Sequence, residues 1–170
     1  MLCVIAKIDN ESRNHLRSIQ QVADSLGVPP RVLYGHITLA TFVSGDEDEI
    51  ICSCKEMLCD HSVFSIQYEK VEALPATSIV VVSPKIEGVL WNLHKKLVRG
   101  RYDQLDIWSR DDTWKPHTTL VHKPPVDLNL VAEEMCSIFE PFSARVERIE
   151  FSKVTASGYE IIDAVDLKGE

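Results

Sequence analysis

The sequence predicts a mixed α/β (α+β) protein, a duplicated unit with two largely antiparallel sheets and helices on the outside. Three observations predict it. Short β-branched runs alternate with stretches of helical apolar periodicity in the order strand, helix, strand, helix, strand. That order begins again near residue 76, with one additional strand at the C-terminus. A short phrase recurs at matching points of the two runs, GHITLA at 35–40 and PHTTLV at 116–121, so that the histidines lie 81 positions apart.

Residues 2–8 (LCVIAKI) form the first strand, apolar and β-branched. From Ser12 to Leu26, Leu16, Ile19, Val22, Ala23 and Leu26 share one helical face, and Gly27 with the Pro29–Pro30 pair stops the helix. HITLATFV (36–43) is the next strand. Ser44-Gly45-Asp46-Glu47 matches a capping box, and acidic residues fill the first turn of the helix that follows. Its apolar face collects Ile50, Ile51, Cys54, Met57 and Leu58. Strands near 63–73 and 78–83 come next, joined by a turn around LPATS. The second run, opened by the strand near 78–83, continues with a helix near 85–98, carrying Ile86, Val89, Leu90, Leu93 and Leu97 and ended by Gly100. A long polar and aromatic connection leads into the strand HTTLVH (117–122). A helix near 127–139 carries Leu128, Val131, Ala132, Met135 and Phe139, and two last strands lie near 142–152 and 159–167. No linker-like stretch separates the runs, so residues 1–170 are expected to form a single domain of two pseudo-symmetric lobes, about 1–75 and 76–170, with room for strand exchange between them.

Composition narrows the function classes. No apolar run approaches the length of a membrane span, and MLCVIAKI is too short and wrongly flanked for a signal peptide. Five cysteines, an odd number beside no export signal, argue against a disulfide framework and for a cytoplasmic chain. A net charge of −8 works against tight binding to a long nucleic acid, whose affinity comes mostly from neutralised phosphates. A small phosphate ester needs only a few local donors and stays open. The oligomeric state has no signature in the sequence.

In a strand, alternate side chains point the same way. His36, Thr38 and Ala40 therefore share a face, as do His117, Thr119 and Val121. Each copy offers an imidazole and a hydroxyl together, and an approximate twofold relation would set two such pairs across a groove. Hydrolysis of a phosphodiester needs a base for the attacking water and an acid for the leaving oxygen. Histidine is the side chain whose ordinary pKa permits both roles near pH 7. Threonine hydroxyls can donate to the non-bridging oxygens, where negative charge must be held. This chemistry requires no metal and no cofactor.

Two His-x-Thr-Leu tetrapeptides, one per half of a chain this size, resemble the 2H phosphoesterase superfamily, which contains the 2′-5′ RNA ligases and cyclic nucleotide phosphodiesterases, and the spacing leans towards its small bacterial members. The resemblance implies a bilobal fold with a central cleft holding both motifs. It implies metal-independent opening of 2′,3′-cyclic phosphates or related phosphodiesters of a small nucleotide or RNA end. It also implies that His36 and His117 are the acid–base pair and that Thr38 and Thr119 are the phosphate-binding donors. Which histidine plays which part stays open. So do two alternatives, joining of RNA ends through a 2′-5′ bond and non-catalytic binding of a nucleotide or RNA end.

The remaining candidates are read against plainer roles. GVPPRVLY and GRYDQLDIWSRDDTWK run into the two motifs and should end near the cleft mouth, the longer one as a lid. Tyr34, Trp108 and Trp114 can stack a base there, while Arg31, Arg101, Arg110 or Lys115 can meet phosphate; otherwise the rings pack the loop and the charges are solvated. His15, His61, His94 and His122 read as surface or packing residues, with His122 on the face opposite His117 unless the strand bulges. Cys52, Cys54 and Cys59 fall on different helix faces and cannot close a tetrahedral metal site; Cys3 and Cys136 read as core.

Overall fold

The computed structural model describes residues 1–29, 33–86, 88–155 and 158–169. The elements are β1 (Leu2–Ile8), α1 (Asn10–Gln21), β2 (His36–Phe42), α2 (Glu47–Leu58), β3 (Phe64–Ala73), β4 (Ile79–Pro84), α3 (Val89–Val98), β5 (Thr118–His122), α4 (Leu128–Ile138), β6 (Phe142–Thr155) and β7 (Gly158–Asp166). The strand and helix order is the doubled one predicted from sequence.

Local chemistry sets the boundaries. Asp9 caps α1 by accepting from the Ser12 backbone N–H at 2.8 Å, so this helix starts earlier than its apolar face suggests. It runs on into a 3-10 turn and stops at Gly27, whose φ of 71° a side chain would strain. The cap of α2 is Asp46, which accepts from Glu49 N at 2.9 Å, so the N-cap sits two residues beyond the Ser44 expected from the sequence. α3 begins only at Val89, because Gly88 at φ 71° and ψ −136° is not helical. Ile86, left before that start, and Val89, in the first turn, are both exposed and do not join the apolar face. Cys136, expected in the core, is also exposed, since α4 turns Val131, Ala132 and Met135 inward.

All strand pairs are antiparallel, in the order β2-β1-β6-β3-β4-β5, with β7 paired to β6. β6 joins the two expected sheets into one hydrogen-bonded network. Its residues Val146–Lys153 pair with β1, while its other edge takes β3 along Phe142–Val146 and β7 along Arg148–Thr155. Helices α1, α3 and α4 pack on the sheet and bury one core with Val4, Ile37, Leu39, Val80, Leu120 and Ile149. None of the helices among the described residues is long and apolar enough to cross a membrane.

β2 and β5, the two motif strands, end the strand order on opposite sides, yet they touch. The Thr118 hydroxyl donates to the His36 carbonyl at 2.9 Å, and the buried Tyr68 hydroxyl lies 2.6 Å from the same Thr118 oxygen. The twisted sheet curls until its two edges meet.

Candidate active site

The two motif strands share an irregularity at the same residue of the repeated phrase. Along β1 and β2 the register passes from Val4↔Ala40 to Ile5↔Thr38, skipping Leu39. Along β4 and β5 it passes from Val80↔Val121 to Val81↔Thr119, skipping Leu120. A bulge of one residue reverses the alternation beyond it. Ala40 and Val121, expected beside the threonines, are therefore buried in the core. Their places on the motif face pass to Thr41 and His122. Thr41 pairs with Cys3 and His122 with Ile79, and both Cys3 and Ile79 line the cavity beside the motifs.

That cavity has a volume of about 420 Å³. Thr38, Thr41, His117, Lys115 and Trp108 line it, with Tyr159 and Val154 from the β6–β7 hairpin and Leu74, Pro75 and Ile79 on the apolar side. His117 is half-buried, and its Nδ1 lies 2.7 Å from the Lys115 carbonyl. A carbonyl only accepts, so Nδ1 carries the proton and Nε2 of the neutral ring keeps its lone pair. Burial pushes the His117 pKa below the ordinary 6.5, against the smaller upward pull of the Lys115 carbonyl and of Glu72. His36 starts β2 and rests edge-on against Tyr159, with ring centroids 4.7 Å apart, and against Tyr34 at 5.7 Å. Thr119 is half-buried two residues after His117 and is not among the residues lining the cavity.

The loop candidates separate. Trp108 stands 60% exposed on the cavity rim and Lys115 is exposed beside it. Trp114 also borders the cavity but is 6% exposed. Its indole N–H donates to the Thr38 carbonyl at 3.0 Å, and its ring stacks on His94 at 3.9 Å, so its face is already covered. Tyr34 donates its hydroxyl to Glu150 at 2.7 Å, and burial, with this bond beside it, pushes its pKa up. Arg110 stacks on Tyr102 and Arg101 bonds Ser53, neither at the cavity. Arg31 lies outside the described residues.

Sequence reasoning misses several residues here. Tyr159 is one; nothing local marks a tyrosine at the start of β7 as facing a histidine far away in sequence. His94, expected at the surface or in packing, takes the packing place, wholly buried; what the sequence does not show is its partner, the Leu39 carbonyl at 2.7 Å from its Nδ1. A signal does exist for two glutamates. KVE at 70–72 and RIE at 148–150 place a cation two residues before a glutamate in β3 and in β6. Glu150 pairs through Ile5 to Thr38, and Glu72 pairs through Val81 to Thr119. Each glutamate is held by its own cation, Arg148 at 3.3 Å and Lys70 at 2.8 Å. The repeat thus extends beneath both motifs.

A sequence profile of the 2′-5′ RNA ligase superfamily matches residues 9–157. The chain belongs to the 2′-5′ RNA ligase superfamily. As such it shares its fold with TT0787 of Thermus thermophilus, at a TM-score of 0.72 and 19% identity, covering 99% of this chain and 98% of the other. E. coli LigT complexed with 3′-AMP matches at a TM-score of 0.62 and 14% identity, covering 98% and 96%. LigT complexed with NADP+ matches at 0.64 and 16%, with the same coverage. Identities this low speak for the fold alone. No curated protein matches this 2′-5′ RNA ligase superfamily chain.

Proposed function

We propose that the protein opens a 2′,3′-cyclic phosphate, or a related phosphodiester, of a small nucleotide or RNA end, with His36 and His117 as its acid–base pair. The observation that carries this reading is the bulged His-x-Thr strand occurring twice, the copies joined by the Thr118–His36 contact beside a cavity lined by Thr38 and His117. His117, with Nδ1 occupied and its pKa lowered, presents a neutral Nε2 suited to taking a proton from water. The water oxygen then bonds to phosphorus, the bond to one ribose oxygen breaks, and His36 gives that oxygen its proton. Thr38 and Thr119 donate to the non-bridging oxygens.

A cavity of about 420 Å³ suits one nucleotide, at the small end of ligand pockets, which span roughly 300–1,000 Å³. Trp108 offers a face to the base, Lys115 a charge to phosphate, and Tyr34 closes the site beside His36. LigT, caught with 3′-AMP, ATP and NADP+, supports a ligand of nucleotide scale. In this reading the chain is one cytoplasmic domain whose lobes, about 1–75 and 76–170, exchange strands around β6.

The test is hydrolysis of the four 2′,3′-cyclic nucleoside monophosphates and a short RNA ending in a cyclic phosphate, with EDTA present. Turnover is expected in the wild type and a loss of about 10²–10⁴-fold in His36→Ala and in His117→Ala, with the fold intact. The rate should rise with pH through a His117 pKa below 6.5, because protonation removes the base. Near-normal turnover in either variant sinks the two-histidine reading, and joined RNA ends would replace hydrolysis by ligation.

A further inference from the structure

A bulge leaves a carbonyl pointing out of the ladder, and here both bulges meet a buried donor from a helix. The Leu39 carbonyl accepts from His94 Nδ1 at 2.7 Å, and His94 is 0% exposed on α3. The Leu120 carbonyl accepts from Gln20 Nε2 at 2.6 Å, and Gln20 is 7% exposed on α1. The arrangement is reciprocal. α1 precedes the first motif strand and holds the second; α3 precedes the second and holds the first. Neither donor is part of the repeated phrase, and imidazole and carboxamide share only the ability to place one N–H on a carbonyl.

These contacts do more than satisfy two carbonyls. The bulge decides which side chains stand on the motif face, because removing the extra residue would return Ala40 to it in place of Thr41, and Val121 in place of His122. β2 and β5 also end the strand order; outside β2 the segment around Leu105 bonds Thr41 and Val43, beyond the bulge, and leaves the Leu39 carbonyl to His94. At the bulges themselves the helix donors His94 and Gln20 meet the displaced carbonyls.

We propose that His94 and Gln20 are positioning residues: through the carbonyls of Leu39 and Leu120, each holds the bulge that sets one His-x-Thr pair beside the cavity, which Thr38 of one pair and His117 of the other line. The assignment rests on the proposed two-histidine site, and its mark is selectivity. His94 governs the geometry of His36 and Thr38, whereas Gln20 governs that of His117 and Thr119.

The experiment compares His94→Leu, His94→Asn and Gln20→Met with the wild type. Asparagine keeps an N–H close to the position of Nδ1; leucine and methionine fill the space without one. The ring signals of His36 and His117 are followed by NMR through a pH titration. Turnover of a cyclic nucleotide and the melting temperature are measured beside them. His94→Leu is expected to shift the His36 signals and leave those of His117 in place, and Gln20→Met to do the reverse. Both should lower kcat at least tenfold with KM within about threefold, and His94→Asn should recover most of the rate. Folded Leu and Met variants with unmoved ring signals, or with both histidines moved alike, overturn the proposal. So does a folded His94→Asn that has lost its rate despite keeping the N–H. A wild type without turnover would count against the two-histidine reading, while the ring signals would still decide the positioning role.

Discussion

Glu150 is 3% exposed and lies on the motif side of β6, where burying a carboxylate costs several kcal/mol unless it is paired. Its partners are the Tyr34 hydroxyl at 2.7 Å, Lys7 at 3.3 Å and Arg148 at 3.3 Å. The carboxylate thus anchors Tyr34, whose ring touches His36. Glu150→Gln keeps the shape but turns an N–H₂ toward donors. Lys7 and Arg148 reach solvent, so the expected loss is about 1–3 kcal/mol, below the roughly 3–5 kcal/mol of a fully buried broken pair. Denaturant unfolding measures it, and an unchanged midpoint would show that water screens the cluster. The tripeptides KVE and RIE make this pair of glutamates visible in principle. Three residues in a strand are too short a signal without the register that aligns them under Thr38 and Thr119.

At the scale of elements, the periodicity of the chain places every strand and helix in its order, and β1 has the bounds read from its apolar run. The start of α3 departs from its periodicity because the first apolar residue, Ile86, lies before Gly88, whose backbone cannot continue the helix. The same helix carries a pH dependence. Burial holds the His94 pKa below 6.5, so the unfolded chain takes a proton as pH falls through that value while the folded chain does not. Stability is therefore full above pH 6.5 and declines on acidification until the folded pKa is reached. The melting temperature should fall between about pH 7 and pH 5. His94→Asn should remove part of that fall, the remainder coming from His117 and His61, whose pKa values burial also lowers. A slope unchanged by the substitution would mean that His94 stays neutral in both states.

For the whole molecule, the decisive event is the meeting of the two ends of the strand order. Thr118 is 2% exposed, and its single hydroxyl sits between Tyr68 and the His36 carbonyl. Thr118→Val leaves both partners buried and unmatched, at an expected cost of about 1–3 kcal/mol. Tyr68→Phe leaves the link to His36 in place. Melting temperature should fall in both variants, but kcat should fall clearly further in Thr118→Val, because only that change loosens one motif from the other. Equal rates in the two would show that the curl of the sheet closes the site without this contact.

The residues proposed to do the chemistry can be read without coordinates: His36, Thr38, His117 and Thr119 stand out because a phrase recurs at matching points of a recurring pattern. Elements are equally legible, since helix and strand periodicity acts over a few neighbouring residues and capping over three or four. The faces beyond each bulge are not, nor are the partner of His94, the place of Tyr159 or the partner of Thr118. Each depends on a group far away in sequence, as His94 does on Leu39 and Thr118 on His36. Family, order of elements and the two motifs were thus already written in the chain. How the motifs meet was settled in three dimensions, because strand twist accumulates across the sheet and its sum brings β2 to β5.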